Sequence, residues 1–192
     1  MDTLYLSSIK KKASEENALI VYGDEASFRQ SPTLYQTWAP KNTQPKIPTT
    51  GQRNTQKILG AIAIPSGKFE YRIQEEYFNH KTYVGFLEDL VVPRFYRKGH
   101  RIFLIQDNAS YHKKPETYEW FTANRKHVEV FNLPRYQPEL NAIERIWHHV
   151  RMYATHNRFH ETVDSLRCAL FDAFTNIQIS PQSIVNYLHP YF

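Results

Sequence analysis

The sequence predicts an α/β fold: a mixed sheet, built from antiparallel hairpin strands and parallel strands, with helices on both faces. Two observations predict it. The apolar runs 58–64 and 69–74 are separated by the turn-forming tripeptide Pro65-Ser66-Gly67, which is typical of an antiparallel hairpin. Further apolar runs then alternate with segments whose apolar residues recur at helical spacing. Strands that alternate with helices form parallel pairs, and the connecting helices cover the sheet.

The first half of the chain supplies the hairpin strands and a long connection. Residues 1–17 form a lead-in, either irregular or helical, and 18–192 form a single domain. The compact apolar run 18–22 predicts a buried strand that stops before Asp24. The proline-rich stretch 31–55 predicts an extended loop or an irregular hairpin.

The second half alternates helices with strands. Apolar residues at helical spacing predict the helices, and short apolar runs predict the strands. We expect Pro93 to end the first of these helices, and Pro115 and Pro138 each to open one. The predicted elements are a helix over 80–92, a strand over 102–106, a helix over 115–126, a strand over 128–133, a helix from Pro138 through Val150, and a C-terminal helical region, 160–192, whose helix covers 163–177.

Composition limits the classes of function. The 192 residues are 41% hydrophobic and 15% aromatic, which is enough for one domain with a core. The formal net charge of +5 suits a polyanionic partner but also fits an ordinary solvated surface. A single cysteine, Cys168, excludes a disulfide framework and fits a reducing compartment. The N-terminus has the wrong order for a signal peptide and no apolar run is long enough to span a bilayer, so we expect a cytoplasmic protein without membrane contact.

Three acidic residues are placed so that one site can hold them. Asp24 and Asp107 each follow a predicted buried strand, so their carboxylates lie at one edge of the sheet. Glu144 lies one turn into the helix after the last strand, bordering the face that carries Leu140 and Trp147. Taken singly, each acid has a structural explanation as a cap, a turn residue or a partner of the helix dipole. Together they would repel one another unless a cation binds between them, and all-oxygen sites suit Mg²⁺ or Mn²⁺.

Four short motifs accompany the acids. They read Tyr22-Gly23-Asp24-Glu25, then Trp38-Ala39-Pro40-Lys41, then Gln106-Asp107-Asn108-Ala109-Ser110 with His112, and finally Leu-Pro-Arg-Tyr-Gln-Pro-Glu-Leu-Asn-Ala-Ile-Glu-Arg-Ile-Trp over 133–147. Together they resemble the DDE endonuclease domain of the mariner-like transposase superfamily, in particular its bacterial insertion-sequence branch, over residues 18–175. The resemblance implies an RNase H-like fold, two Mg²⁺ or Mn²⁺ ions and cut-and-paste movement of a DNA element. It assigns the catalytic and metal-binding acids to Asp24, Asp107 and Glu144.

The chain departs from the family pattern at several loop positions. Arg135-Tyr136-Gln137-Pro138 stands where Pro-Tyr-Ser-Pro is usual, Asn141-Ala142-Ile143-Glu144 where Asn-Pro-Ile-Glu is usual, and Lys41-Asn42 where Lys-Gly is common. No departure removes a carboxylate, although substitutions of this kind also fit an inactive copy of a transposase. Family members carry helix-turn-helix modules ahead of the catalytic domain. Only 23 residues precede Asp24, so we expect the DNA-end-reading part to be encoded in another frame or protein, or to have been trimmed away.

Several other residues fit roles near the acids, and each also has a structural explanation. Glu25 and Asn141 fit support of the neighbouring acids. Asn108 fits either a phosphate contact or a turn, and His112 either a place near metal and DNA or an ordinary loop position. Trp38 fits either stacking on a base or anchoring of its loop. The candidate DNA contacts also include basic residues of the long loop and the last motif: Lys41, Lys46, Arg53, Arg145, His148 and Arg151.

The leading functional hypothesis, implied by the resemblance, is a transposase catalytic domain. It would cleave DNA at element ends and join them to target DNA, acting as a homodimer on DNA and associated with the bacterial nucleoid. Two alternatives stay open. An RNase H-like nuclease would cut DNA without joining it, and an inactive transposase remnant would bind DNA independently of the three acids.

Overall fold

The computed structural model describes residues 2–49, 51–135 and 137–188. Its five strands form one sheet in the order β3-β2-β1-β4-β5. The first three pair antiparallel, and β1, β4 and β5 pair parallel. The predicted mixed sheet is therefore confirmed. The strands are β1 (Leu19–Arg29), β2 (Thr55–Ile64), β3 (Phe69–Gln74), β4 (Ile102–Gln106) and β5 (Val128–Asn132).

Helices cover both faces of the sheet, because neighbouring strand residues point to opposite sides. Tyr22 and Phe103 pack into one core with four of the helices, and Val21 and Leu104 pack into a second core with the other three. The first four are α1 (Asp2–Glu16), α5 (Ile143–Ala154), α6 (Val163–Ile179) and α7 (Gln182–Val185); the other three are α2 (His80–Phe86), α3 (Val92–Phe95) and α4 (Pro115–Ala123).

Strand β1 is longer than its apolar run predicts. The expected end before Asp24 is wrong, because β1 continues to Arg29. The physical reason is its neighbours: β2 pairs with it from Ile20 through Arg29, whereas its parallel pairing with β4 ends at Tyr22. Asp24 therefore lies inside a strand, just beyond its last parallel partner. This position places the carboxylate at the edge where β4 has already ended.

A second correction concerns Pro93, which does not end its helix. The chain stays helical from His80 to Phe95 by way of a π-helical turn, Leu87–Val91. In that turn the Val92 N–H donates to the carbonyl of Leu87, five residues back. The wider turn accommodates a proline that would clash with a carbonyl in a regular helix.

Helix α5 begins five residues later than Pro138 suggests. Pro138–Leu140 forms a 3-10 turn, and the α-helix starts at Ile143. Leu140 is therefore not a helical neighbour of Glu144, which lies instead in the first turn of α5. Glu144 is held close to the loop that precedes it, since its backbone N–H donates to the carbonyl of Asn141 at 3.1 Å.

The long connection between β1 and β2 is an extended loop, as predicted. It is fixed near its start: the Tyr35 N–H donates to Asn157 Oδ1 at 2.9 Å, and Asn157 Nδ2 donates to the Tyr35 carbonyl at 2.8 Å. Beyond this anchor the described residues of the loop are exposed, apart from Ile47, which is half-buried. The predicted C-terminal helical region contains α6 and α7, and its last residues, 189–192, lie outside the described part. Across the described part of the chain, no helix combines the length and apolar character that crossing a membrane requires.

Candidate active site

The three predicted acids come from three separate elements and line one cleft. Asp24 lies in β1, Asp107 directly follows β4, and Glu144 lies in the first turn of α5. The cleft has a volume of about 450 Å³. Its other lining residues are Asn108, Ala109, Lys113, Leu133, Pro134, Arg135, Gln137, Pro138 and Asn141. The β4–α4 connection thus forms one wall, and the β5–α5 connection forms the other.

Asp24 and Glu144 are carboxylates whose charge is disfavoured. Burial, followed by the negative charges of Glu25 and Glu144, raises the pKa of Asp24 well above its usual value. Two hydrogen bonds act in the other direction: Trp147 Nε1 donates to Asp24 Oδ2 at 2.9 Å, and the backbone of Glu25 also bonds to the carboxylate. Burial and the charge of Asp107 also raise the pKa of Glu144, against the opposing effect of Arg151. The acids therefore lie close enough to repel one another, and a bound cation would relieve this repulsion.

Asp107 has the opposite electrostatics because His112 contacts it. The two ring nitrogens of His112 face two acids: Nδ1 lies 3.1 Å from Asp107 Oδ1, and Nε2 lies 3.2 Å from Glu25 Oε1. Burial lowers the pKa of His112, but hydrogen bonds to the two acids and their charges raise it to about 9. His112 is thus an imidazolium at neutral pH and donates from both nitrogens. Partial burial raises the pKa of Asp107, yet the bonds from His112 and the Ala109 N–H bring it below the usual value.

Glu25, Asp107 and His112 offer ligand atoms within 4.8 Å of one another, which is close enough to raise the question of a metal site. The arrangement argues against one. The two acids contact different nitrogens of the ring, so a single ion could not bind both acids and His112 without turning the imidazole. The side chain of His112 is 1% exposed, which leaves it little room to turn. We interpret the group as an ion-pair bridge that holds Asp107.

Aromatic rings enclose this bridge. The ring centroid of Tyr83 lies 4.2 Å from that of His112, and Tyr111 contacts the same imidazole edge-on at 4.7 Å. The hydroxyl of Tyr83 donates to Gln106 Oε1. Burial, with the charges of Glu25 and Asp107, raises the pKa of both tyrosines, so both phenols are neutral. The enclosure buries the imidazole and fixes the ring that orients Asp107.

The two predicted asparagines have different positions. Asn108 Nδ2 donates to the backbone carbonyl of Leu133, so it ties one wall of the cleft to the other. Asn141 lines the cleft and is only 3% exposed. Its side chain does not cap α5, whose N-cap residue is Ala142, and its Oδ1 has no hydrogen-bond partner among the described residues. Asn141 therefore offers a buried acceptor beside the acids.

The predicted DNA contacts of the long loop and of the last motif form two groups, and none of these residues lines the cleft. On the long loop, Trp38 is 100% exposed, which excludes the alternative that it anchors the loop to the core. On α5, Arg151 lies over the Phe28 ring at 5.4 Å and its charge reaches Glu144. The remaining ones, Lys41, Lys46, Arg53, Arg145 and His148, are exposed. Tyr136, part of the resemblance, lies outside the described residues.

Two cations of the cleft are missing from the residues predicted from sequence. Lys113 and Arg135 both line it, one on each wall. Lys113 ends the 3-10 turn Ser110–Lys113, and its charge contributes to the lowered pKa of Asp107. The sequence offers one signal for Lys113 and Arg135, because each lies on the connection that directly follows a parallel strand. No sequence pattern favours Lys113 over its neighbour Lys114.

Comparisons with known proteins identify related sequences. A family model described as DDE superfamily endonuclease matches residues 19–167. An uncharacterized 39 kDa protein of insertion element IS630 from Shigella sonnei is 28% identical over 138 residues, which are 72% of this chain and 39% of that protein. The transposable element Tcb2 transposase of Caenorhabditis briggsae is 27% identical over 140 residues, 69% of this chain and 50% of that protein. The chain thus spans half or less of these relatives.

Solved structures show the same fold. The catalytic domain of Mos1 mariner transposase matches with a TM-score of 0.61 at 17% identity, covering 98% of this chain and 87% of that one. The mariner Mos1 paired end complex with Mg matches with a TM-score of 0.62 at 18% identity, covering 99% of this chain and 60% of that one. At this level of identity the likeness concerns the fold alone, and it confirms the predicted RNase H-like architecture.

Proposed function

We propose a function for this chain from the premise that it belongs to the DDE superfamily endonucleases. The chain is the catalytic domain of a transposase, which cleaves phosphodiester bonds at the ends of a DNA element and transfers the strands to target DNA. Its catalytic residues are Asp24, Asp107 and Glu144. The observation that carries the proposal is the convergence of these acids, from β1, the end of β4 and the start of α5, on one cleft.

The donor set fits divalent metal ions. Three carboxylates supply hard oxygen ligands of the type that Mg²⁺ and Mn²⁺ prefer. The raised pKa values of Asp24 and Glu144 reflect burial first and then the charges of neighbouring acids, and a bound cation would offset both effects. Asn141 Oδ1 adds a buried acceptor that has no hydrogen-bond partner among the described residues. We propose two Mg²⁺ or Mn²⁺ ions held by Asp24, Asp107 and Glu144, in line with the Mg of the Mos1 complex. Such ions activate the attacking oxygen and stabilise the leaving oxygen of an in-line displacement at phosphorus.

The protein's own contribution is to orient the three acids and to offset part of the cost of their charge. Trp147 fixes one oxygen of Asp24 by its hydrogen bond. The Glu25–His112 pair fixes Asp107, and the buried imidazolium keeps that carboxylate charged. Glu144 lies at the positive end of the α5 dipole, which favours a negative charge. Each acid therefore has its own support, and substituting any one should disable the site.

The partners proposed are DNA and a second copy of the chain. Element ends and target DNA are the substrates, and a homodimer would bring two ends together, in keeping with the paired end complex formed by Mos1 transposase. The exposed Trp38, Lys41, Lys46 and Arg53 of the long loop and the exposed face of α5 are the candidate DNA contacts. Because such contacts are electrostatic, we expect binding with little sequence preference.

The experiment is plasmid nicking with matched isosteric variants. Purified chain is incubated with supercoiled plasmid with and without Mn²⁺, beside Asp24→Asn, Asp107→Asn and Glu144→Gln. We expect Mn²⁺-dependent nicking by the wild type and a loss of at least about 100-fold in each variant, since catalytic carboxylates carry several kcal/mol of transition-state stabilisation. Glu116→Gln is the control, because Glu116 is an exposed acid that does not line the cleft.

Nicking that survives in all three variants would reject the triad. Joining is tested separately with a precut, labelled DNA end and a plasmid target. Cutting without joining would favour the nuclease alternative, and metal-independent DNA binding without cutting would favour the inactive remnant.

A further inference from the structure

Two cations line the cleft that holds the acids, one on each wall. Lys113 lies on the wall formed by the β4–α4 connection, and Arg135 lies on the wall formed by the β5–α5 connection. Lys113 is half-buried and Arg135 is exposed. In the part of the chain that the structure describes, neither forms an ion pair with a carboxylate. Their charge is therefore available to a ligand that enters the cleft.

The position of Lys113 in the cleft is not explained by a need to neutralise the nearby acids. Asp107 already accepts a hydrogen bond from the His112 imidazolium, whose other nitrogen faces Glu25. Lys113 adds charge near Asp107 without pairing with it. A lysine held beside a carboxylate without an ion pair retains its donors for another anion, and ammonium and guanidinium groups are the usual phosphate contacts of DNA-binding proteins.

We propose that Lys113 and Arg135 bind phosphates of one DNA strand, one from each wall, so that the strand crosses the cleft above Asp24, Asp107 and Glu144. The phosphate that lies between the two contacted positions is then the one presented to the acids. The proposal rests on the proposed function and deepens it, because it names which part of the substrate the cleft holds and how.

The test measures binding apart from cleavage. A fluorescein-labelled 30-base-pair duplex of arbitrary sequence is titrated with wild type, Lys113→Ala, Arg135→Ala and Lys113→Arg in Ca²⁺, between 50 and 200 mM KCl, with a gel to check that the DNA stays intact. The matched control is Lys114→Ala, since Lys114 is the adjacent exposed lysine and does not line the cleft. Melting curves establish that every variant is folded.

We expect each alanine variant to bind about three- to tenfold more weakly at 100 mM KCl. The negative slope of the logarithm of the association constant against log [KCl] should become shallower by about 0.9 for each phosphate that is no longer bound. Lys113→Arg should keep the wild-type slope, and Lys114→Ala should change it less than Lys113→Ala does. Wild-type affinity and slope in both alanine variants would overturn the inference. Plasmid nicking is measured in parallel, so Mn²⁺-dependent nicking by a wild type whose alanine variants bind normally would reject the two phosphate contacts and leave the proposed function standing.

Discussion

Asp24 combines two requirements that conflict at the level of a single residue. It lies half-buried within a strand, so its charge is disfavoured, yet the proposed metal site needs that charge. Trp147 compensates in part by donating its indole N–H. Asp107 resolves the same conflict differently, through the buried His112 bridge. The charge of Asp24 is therefore poorly stabilised until a cation binds, whereas the protein itself keeps Asp107 ionised.

The conflict predicts that Asp24→Asn stabilises the metal-free protein. The raised pKa means that the folded state holds the proton more tightly than the unfolded chain, so ionised Asp24 destabilises the fold at neutral pH and the cost disappears as the pH falls. Asparagine keeps an oxygen for the Trp147 bond and removes the charge. In EDTA at pH 8 we expect a gain of roughly 1 kcal/mol, or about 2–4 °C in Tm.

Melting curves at pH 8 and pH 4 measure this effect, and the gain should shrink at the lower pH. Asp172→Asn serves as the control, because Asp172 is exposed and far from the acids of the cleft in the chain. A lower Tm for Asp24→Asn than for the wild type at pH 8 would contradict the electrostatic argument.

At the scale of elements, the packing of α5 on the sheet depends on a glycine in β2. Gly60 pairs with Asp24 across the β1–β2 ladder, and a Cβ at Gly60 would lie 2.3 Å from Cη2 of Trp147. The missing side chain is what allows the indole to lie over β2 and reach the carboxylate. This role depends on strand register and on the crossing of α5, so the sequence pattern of β2 alone does not reveal it.

Gly60→Ala should therefore weaken both the fold and the site. Overpacking against an indole costs about 1–3 kcal/mol, and a displaced Trp147 loses its bond to Asp24. Urea unfolding should show a lower midpoint, and plasmid nicking should fall. Gly85→Ala is the matched control, since a Cβ at that helical position lies at ordinary contact distance, 3.5 Å from Arg72. Equal midpoints for the two variants would show that Trp147 can move without loss.

The elements also show how far sequence patterns reach. Apolar runs and helical spacing predict the order of strands and helices, and the position of Asp107 after β4 follows from its apolar run. The patterns fail where contacts with other segments of the chain, or an irregular turn, determine where an element ends. β1 extends past Asp24 because β2 pairs with it, and a π-helical turn lets Pro93 remain in a helix. Residues that meet only in the folded chain, such as Glu25 and His112, carry no local signal of their contact.

At the scale of the whole molecule, we expect the distribution of charge to oppose entry of DNA into the cleft until a cation binds. The net charge is +5, but the cleft concentrates three acids, and the predicted loop and α5 cations lie outside it. Without divalent ions the acids repel a phosphate at the point where Lys113 and Arg135 would attract one. DNA should then be held by the outer surface and enter the cleft only when the acids are neutralised.

We therefore expect divalent ions to raise the affinity of the wild type for DNA and to have less effect once an acid is removed. Comparing Ca²⁺ with EDTA at matched ionic strength, we expect the wild type to bind a labelled duplex about three- to tenfold more tightly in Ca²⁺, since each additional phosphate that the protein binds is worth a factor of this order.

Glu144→Gln should bind more tightly than the wild type in EDTA, because repulsion is reduced, and should respond less to Ca²⁺. Arg145→Ala, which removes an exposed cation next to Glu144 in the chain, should keep the full Ca²⁺ response. Equal Ca²⁺ responses of the wild type and Glu144→Gln would mean that DNA does not enter the acidic cleft.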